Sequence, residues 1–440
     1  MPSVLITAST FSHIVNFHLP YLRRFRELGW QVDVACGGAM RDIPFADVTA
    51  ALPLEKKMSS PANFQAASQL RAMVIRQQYD LIITHTSLAA FFTRWALRGL
   101  KHRPKLINVV HGYLFDDETS GLKRGLLTRA ETMTAPQTDL LLTMNAWDTR
   151  WAMAHRAAPR VEEIPGMGVD LTRFRTAPDG LGLSEGDVAL LYAAEFSGRK
   201  SQHTLLEALP GLPENVKLLL PGSGALLDDC RAQAASLGVA DRTVFPGQVH
   251  DMPRWLAAAD IAVSSSRSEG LPFNIMEAMA CGLPAAASAV KGHTDLIGPE
   301  NGLLYPYGDA KAFAAAVERL VSDATLRAEL GQAGREKMQR YALDAVLLGN
   351  EKSCHPEFFL HLLARKKRIF MPADSLVRVQ LNQCGAGIHA LEELAGQDAA
   401  HIRDFSPACL PEELAEIYQG GSIAAKWIKW LEGTEEAAHE

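Results

Sequence analysis

Short hydrophobic runs alternate with amphipathic stretches along the first part of the chain. Four runs rich in Val, Leu and Ile are typical of buried strands, at residues 4–6, 32–34, 81–83 and 106–110. The amphipathic segments between them have the length and pattern of helices, and helices that connect strands in this way produce a parallel sheet. The pattern therefore predicts an α/β domain in the N-terminal part of the chain.

A second series of hydrophobic runs follows after a break, at residues 188–192, 216–220, 244–245 and 261–263. The break, at residues 164–182, is rich in Pro and Gly, which interrupt helices and strands. We therefore predict a domain at residues 1–165 and another at 166–345, with a hinge near 166–180. Two predicted helices, 311–321 and 326–341, close the second domain. The strand and helix rhythm stops there, and residues 346–440 form a C-terminal extension without a predicted role.

Composition narrows the functional classes. The 440 residues carry 44 Lys and Arg against 50 Asp and Glu, a net charge of -6, which gives no electrostatic footprint for a nucleic-acid-binding protein. The six cysteines are scattered without a CxxC pair, which favours reduced thiols in the cytoplasm. The N-terminus lacks the basic segment of a signal peptide, and no run reaches the length of a membrane span. Any membrane contact is therefore expected to be peripheral.

The most informative segment is SRSEGLPFNIMEAMACGLP, residues 266–284. It follows the predicted strand at 261–263, and Pro272 with Gly282 brackets a helix at about 272–281. The preceding loop thus lies between the carboxyl end of a strand and the N-terminus of a helix. Ligands of open α/β sheets bind at that edge, and the helix dipole with free backbone amides favours a phosphate.

Two carboxylates lie in this segment. Glu269 precedes the helix and Glu277 lies more than one turn inside it, so they can address a sugar and a ribose at the two ends of one elongated ligand. A pair of carboxylates is also typical of a glycosidase, but the phosphate-binding character of the loop argues against that interpretation. Glu277 is surrounded by apolar helix residues, where a carboxylate rarely occurs without a partner.

The Glu269-x7-Glu277 motif in its context resembles the signature of the retaining family 4 glycosyltransferases of the GT-B fold, most closely the bacterial capsule and exopolysaccharide branch. Further matches lie at residues 16–20, 110–112, 138–139, 164–170 and 244–247. The resemblance covers residues 1–345. It implies an α/β fold with two Rossmann-like parallel-sheet domains that face a cleft, and a nucleotide-diphospho-sugar donor. It also implies that Glu277 accepts from the ribose and that Glu269 fixes sugar hydroxyls.

Arg199 and Lys200 follow the first strand of the second domain, after a turn at Gly198. A guanidinium that forks onto two oxygens and a compact ammonium together suit a diphosphate. The resemblance assigns the donor diphosphate to Lys200, with Arg199 beside it. It adds the amides of Gly270 and Leu271 as further donors.

His111 ends a predicted buried strand, where a core histidine is the ordinary interpretation. The resemblance instead places it in the cleft against the donor sugar. His85 follows another strand and is either a second cleft residue or a structural one. Many relatives have a Gly-rich loop near the N-terminus. Residues 9–16 form a predicted loop without glycine, in which Ser12 and Asn16 are candidate hydrogen-bond donors toward the donor or the acceptor side.

Gly222 opens a GxG sequence after the strand at 216–220, but Leu227 stands where a dinucleotide fingerprint requires a third glycine. We expect a turn beside the nucleotide base rather than a nicotinamide site. The sequence has no paired acidic motif for a divalent ion, and enzymes of the GT-B fold generally stabilise the leaving diphosphate with protein cations. We therefore expect no metal and no cofactor.

Two stretches mix aromatic or apolar residues with cations, at residues 91–105 and 358–370. Each suits the surface of an anionic bilayer, where a lipid-linked acceptor resides. Ordinary helix packing explains them equally well.

These observations predict a cytoplasmic enzyme, peripheral on the inner face of the membrane, in surface polysaccharide biosynthesis. It would transfer a hexosyl or N-acetylhexosaminyl group, with retention, from a UDP-linked donor to a saccharide or lipid-linked acceptor. Two alternatives stay open at this stage. One is a non-catalytic nucleotide-sugar-binding assembly protein, and the other is a GT-B sugar-nucleotide epimerase.

Overall fold

The computed structural model describes residues 1–172, 181 and 183–347. Both predicted sheets lie within one compact unit, Met1–Ser353. Of the predicted hinge, residues 173–180 lie outside the described part, as does residue 182. The predicted C-terminal extension is outside it from residue 348 onward, and so is the basic stretch at 358–370.

The first sheet has seven strands, all parallel to their neighbours. They are β1 (Ser3–Ala8), β2 (Gln31–Gly37), β3 (Val48–Leu52), β4 (Leu81–His85), β5 (Lys105–Val109), β6 (Leu140–Thr143) and β7 (Arg160–Glu163). Their spatial order is β3-β2-β1-β4-β5-β6-β7. The order reverses at β1, so β1, β4 and β5 are neighbours and their carboxyl ends share one edge.

The helices of this half are α1 (Phe11–Phe17), α2 (Leu19–Glu27), α3 (Pro61–Gln77), α4 (Ser87–Leu97), α5 (Gly121–Thr134) and α6 (Ala146–Ala154), with a 3₁₀ turn at Ala135–Gln137. The prediction of a loop at 9–16 was wrong, because α1 occupies most of it. The Thr10 side chain caps α1 by accepting from the amide of His13, and Phe11 and Ile14 bury the inner face of the helix.

The second sheet has six parallel strands in the order β10-β9-β8-β11-β12-β13. They are β8 (Val188–Leu191), β9 (Val216–Leu219), β10 (Thr243–Val244), β11 (Ile261–Ser264), β12 (Ala285–Ser288) and β13 (Gly302–Tyr305). Helices lie on both faces, so Val188 and Leu190 belong to one hydrophobic cluster while Ala189 and Leu191 belong to the other. This two-sided burial explains the continuous hydrophobic runs in the sequence.

The helices of the second half are α7 (Gln202–Ala208), α8 (Leu227–Ser236), α9 (Met252–Ala258), α10 (Phe273–Ala280), α11 (His293–Leu296), α12 (Ala310–Ser322) and α13 (Ala324–Met338). Short 3₁₀ turns lie at Leu209–Gly211, Ala240–Arg242 and Gln339–Tyr341. The predicted strand, loop and helix around Glu269 are confirmed as β11, the loop after it and α10.

The segment after α13 pairs with the linker between the two sheets. The amide of Val169 donates to the carbonyl of Tyr341 at 2.8 Å, and the amide of Leu343 donates to the carbonyl of Val169 at 2.9 Å. The chain thus passes the junction of the two halves twice. The division at residues 165 and 345 stays a prediction.

The aromatic stretch at 91–105 does not form a membrane-facing surface, so that interpretation was wrong. Phe91 and Phe92, on α4, are 8% and 2% exposed, and both pack in the core of the first domain. Arg94 is fully buried in a 2.7 Å ion pair with Glu131. Arg103 and Lys105 form ion pairs with Asp139. In the part of the chain that the structure describes, no helix is long and apolar enough to cross a bilayer.

Candidate active site

Glu269 lies in the loop between β11 and α10, at the carboxyl edge of the second sheet. Its carboxylate is 6% exposed and accepts a 2.5 Å hydrogen bond from the Ser266 hydroxyl. That hydroxyl is also 2.7 Å from the hydroxyl of Tyr192, which follows β8. Side chains from two neighbouring strand ends thus fix the orientation of the carboxylate before any ligand binds.

Lys200 and Arg199 meet the same carboxylate from the loop after β8. Lys200 Nζ lies 2.5 Å from Glu269 Oε1, and Arg199 Nη1 lies 3.6 Å from Oε2. The side chain of Lys200 is only 12% exposed, whereas that of Arg199 is 52% exposed. The ammonium therefore lies inside the site and the guanidinium lies at its rim.

The two cations determine the charge of Glu269. Burial alone would raise the pKa of this carboxyl, but the charges of Lys200 and Arg199 outweigh burial and lower the pKa from an ordinary value of 4.5 to about 2. Glu269 is therefore ionised throughout the neutral range, as an acceptor of hydrogen bonds and a partner for cations.

The loop that carries Glu269 contacts the first domain through glycines. A methyl group on Gly270 would lie 2.1 Å from the carbonyl oxygen of His111, and one on Gly112 would lie 2.8 Å from the Cα of Gly270. Gly112 also has a φ of +103°, which L side chains rarely adopt. Asn145 adds a 3.0 Å hydrogen bond from its side-chain amide to the carbonyl of Gly270. Only glycines permit this backbone-to-backbone approach of the two domains.

Lys291 crosses from the second domain into the first. Its ammonium lies 2.8 Å from Asp148 Oδ1 and 3.0 Å from the carbonyl oxygens of both Tyr113 and Phe115. The side chains of Lys291 and Asp148 are 5% and 0% exposed. Burial raises the pKa of Asp148 even though Lys291 opposes the shift. Sequence reasoning missed this joint between the domains, because Lys291 follows β12, a strand that was not predicted.

His111 and His85 meet two further histidines, His13 and His18, that sequence reasoning did not select. Nε2 of His111 lies 3.1 Å from Nδ1 of His85 and 3.4 Å from Nε2 of His13. The ring centroids of His18 and His85 are 3.8 Å apart. We refer to these four residues as the histidine cluster.

The histidine cluster is uncharged at neutral pH. Burial lowers the pKa of His13 to about 4. Burial, and then mutual repulsion with other rings of the cluster, holds the pKa of His18, His85 and His111 well below the ordinary value. One ligand atom from each ring lies within 4.8 Å of the others, so the cluster is a group that can hold a metal ion.

The other predicted site residues lie around this centre. Ser12 and Asn16 are exposed on α1, where the Ser12 hydroxyl donates a 3.3 Å hydrogen bond to the hydroxyl oxygen of Thr10. Glu277 is half-buried on α10, and Leu271 packs against the linker at Gly166. The roles predicted for these four residues in ligand binding stay predictions.

The structure explains why residue 222 is a glycine. A methyl group there would lie 1.9 Å from the carbonyl oxygen of Ala194, where the loops after β8 and β9 run side by side. The absence of a side chain thus lets the loop of Lys200 pack closely on its neighbour. Its predicted place beside the nucleotide base stays a prediction.

Comparison with known sequences finds relatives for both halves. The family model "Glycosyl transferase 4-like domain" matches residues 19–166, and "Glycosyl transferases group 1" matches residues 174–337. EpsD of Bacillus subtilis (strain 168), named as a glycosyltransferase, is 32% identical over 354 residues, which cover 77% of this chain and 92% of EpsD. The UDP-Gal:alpha-D-GlcNAc-diphosphoundecaprenol alpha-1,3-galactosyltransferase of Escherichia coli is 25% identical over 287 residues, or 62% of this chain and 74% of that protein.

Among solved structures, HepE of Anabaena in complex with UDP superposes with a TM-score of 0.64 at 20% identity, covering 80% of this chain and 99% of HepE. This likeness, together with the two parallel sheets, confirms the predicted α/β GT-B fold with two Rossmann-like domains.

Proposed function

This chain belongs to the family 4 glycosyltransferases, and on that premise we propose that it transfers a sugar, with retention, from a nucleotide-diphospho-sugar to an acceptor hydroxyl. The observation that carries the proposal is the buried pair of Lys200 and Glu269 at the carboxyl edge of the second sheet. Glu269 lies on the loop that touches His111 and Gly112 of the opposite domain. An ammonium and a carboxylate in this position offer adjacent contacts for a diphosphate and a sugar.

The diphosphate is proposed to bind Lys200 and Arg199. Lys200 supplies a desolvated point charge, and the more exposed Arg199 can fork onto two phosphate oxygens. The amides of Gly270 and Leu271, just ahead of α10, would add donors where the helix dipole favours negative charge. Charge that develops on the leaving diphosphate is then stabilised by fixed protein groups, so this step is proposed to need no divalent metal.

The carboxylates and His111 are proposed to fix the rest of the donor. Glu277 would accept from the ribose, Glu269 from the sugar hydroxyls, and His111 would support the sugar from the first domain. Gly222 would lie beside the base. UDP is the proposed nucleotide, because HepE was solved with UDP and the Escherichia coli relative is named for UDP-Gal.

Contact between the domains is proposed to direct the sugar to its acceptor. Lys291 is held by Asp148 and two carbonyls of the first domain, and Asn145 holds the Gly270 loop. These bonds stabilise a state in which the two halves of the site meet. Closure excludes water, so transfer is favoured over donor hydrolysis.

The acceptor is proposed to be lipid-linked, in the synthesis of a surface polysaccharide on the inner face of the cytoplasmic membrane. Helix α5 exposes Leu122, Leu126 and Met133 by 81%, 64% and 43%, at spacings that place them on one side of the helix. Lys123 and Arg129, also exposed, lie between them. Apolar side chains with flanking cations suit an anionic bilayer. The Escherichia coli relative is named for a diphosphoundecaprenol acceptor.

The experiment incubates the full chain with UDP-, GDP- and ADP-sugars and lipid extract, and identifies the product and its anomeric configuration by NMR. We expect transfer from a UDP-sugar with retention, and its loss in Lys200→Ala. Inversion would contradict the proposed course of the reaction. Conversion of the donor without acceptor would instead support an epimerase, and binding without turnover would support an assembly protein.

A further inference from the structure

We propose that the histidine cluster, His13, His18, His85 and His111, is a binding site for a divalent transition-metal ion of the Zn²⁺ class. This site is separate from the proposed diphosphate site, in which Lys200 and Arg199 supply the positive charge. The proposal rests on the arrangement of the four rings.

The spacing of the ring nitrogens suits a tetrahedral ion. A tetrahedral Zn²⁺ ion with bonds of 2.0–2.1 Å to imidazole nitrogens sets those nitrogens about 3.4 Å apart. In the histidine cluster, two nitrogen pairs are 3.1 and 3.4 Å apart, and ligand atoms from all four rings lie within 4.8 Å of one another. Side-chain rotations that separate the stacked rings of His18 and His85 would bring four nitrogens to bonding distance from one ion.

The fold holds the four rings together at one edge of the first sheet. His13 lies on α1 after β1, His85 ends β4, and His111 follows β5. Because β1, β4 and β5 are adjacent in the sheet, these rings converge at one edge. His18 joins them from the corner between α1 and α2. A metal site requires ligands on rigid supports, and two strand ends, a helix and a helix corner provide them.

His18 is 1% exposed, and both of its ring nitrogens are buried without a hydrogen-bond partner. Buried polar atoms without partners are rare and unfavourable. The other rings give His18 no hydrogen bond, because the close nitrogen contacts join His111 to His85 and to His13. Coordination to an ion at the centre of the cluster would satisfy one of the two nitrogens.

The ligand set determines the class of ion. Imidazole nitrogen suits Zn²⁺, Cu²⁺ and Ni²⁺, whereas Mg²⁺ and Ca²⁺ require oxygen ligands. The site is therefore not a place for the Mg²⁺ ion that commonly accompanies nucleotide diphosphates. His111 is shared with the proposed donor site, and its Nε2 faces the other rings. On the proposed function, metal and donor sugar would therefore compete for this nitrogen.

The test uses the full chain, stripped with a chelator and then equilibrated with Zn²⁺ alone. Bound metal is measured by mass spectrometry after gel filtration, and Co²⁺ is substituted to record the absorption bands of a tetrahedral nitrogen site. We expect one tightly bound Zn²⁺ ion per chain and a higher melting temperature with Zn²⁺. The affinity for Zn²⁺ should fall at least about tenfold in His18→Ala and His85→Ala. The matched controls His203→Ala and His250→Ala remove exposed histidines and should keep the site.

The proposal is wrong if the wild type retains no tight equivalent, or if His18→Ala and His85→Ala bind Zn²⁺ as the controls do. Should His18→Ala fail to fold by circular dichroism, His13→Ala provides the same test, because its ring is only partly buried. Binding of a UDP-sugar by the chelator-treated protein is measured in parallel. A protein that binds the donor but no Zn²⁺ refutes the metal site alone, and one that binds Zn²⁺ but no donor refutes the proposed function alone.

Discussion

Replacement of Glu269 by Gln is the substitution whose effect can be worked out most directly. Gln has nearly the same shape and can still accept from the Ser266 hydroxyl, so the variant removes the negative charge and little else. The pKa of Glu269 is about 2 rather than 4.5. At 1.36 kcal/mol per pKa unit, this difference corresponds to a stabilisation of the folded state by about 3 kcal/mol. Because Glu269 is only 6% exposed, solvent screens little of this stabilisation.

We therefore expect Glu269→Gln to lower the free energy of unfolding by about 3 kcal/mol at neutral pH. The effect depends on pH in a defined direction. The folded-state pKa is lowered, so the charged pair stabilises the wild type fully above about pH 4.5, and this contribution is lost as the pH falls toward about 2. The difference between variant and wild type should thus be constant from about pH 7 to 5 and smaller at about pH 3.

The assay is urea unfolding followed by tryptophan fluorescence at these three pH values. Glu195→Gln is the matched control, since Glu195 is an exposed carboxylate in the same loop as Lys200, and it should change stability by less than about 0.5 kcal/mol. A difference for Glu269→Gln below about 1 kcal/mol at neutral pH would refute the reasoning. So would a difference as large at about pH 3 as at pH 7.

Three further predictions concern the joint between the domains and the membrane. Lys291→Met should lower the unfolding free energy by about 3 kcal/mol and raise donor hydrolysis relative to transfer, while Lys311→Met at an exposed site should do neither. Gly112→Ala should cost at least about 2 kcal/mol in urea unfolding, because its φ is positive and its methyl would meet backbone at 2.8 Å; wild-type stability would contradict the observed approach of the two loops. The double variant Leu122→Gln, Leu126→Gln should weaken binding to vesicles of phosphatidylglycerol and phosphatidylcholine at least about tenfold, and unchanged cosedimentation would contradict the assignment of α5.

Hydrophobic patterning was sufficient to predict most of the two sheets, because a strand buried on both faces has a continuous apolar run in its sequence. Two of the strands that it missed, β3 and β12, lack such a run. Strand β3 is mostly exposed or half-buried, and β12 is Ala285–Ser288 without a β-branched residue. Missing β12 also hid Lys291, whose position depends on where that strand ends. Helix α1 was missed because it is only 7 residues long, although Thr10 is a typical N-cap and Phe11 and Ile14 have helical spacing.

Part of the candidate site was predictable from the sequence and part was not. Glu269 was predictable because strand, loop and helix follow one another along the sequence. The histidine cluster was not, since His13 and His111 are 98 residues apart and meet only through the order of β1, β4 and β5. A strained backbone marks the same place, because Thr86, a β-branched residue directly after His85, has a φ of +68°. Sequence patterns do not record such long-range convergence.

The proposed mechanism depends on Lys200, the buried cation of the second domain, to stabilise the leaving diphosphate during sugar transfer. The most direct measurement is kcat/KM for transfer from a UDP-sugar by the wild type and by Lys200→Ala. Removal of one such fixed charge should lower this constant by about 10²- to 10³-fold, with the far-ultraviolet circular dichroism unchanged. Transfer at the wild-type rate by Lys200→Ala would contradict the account.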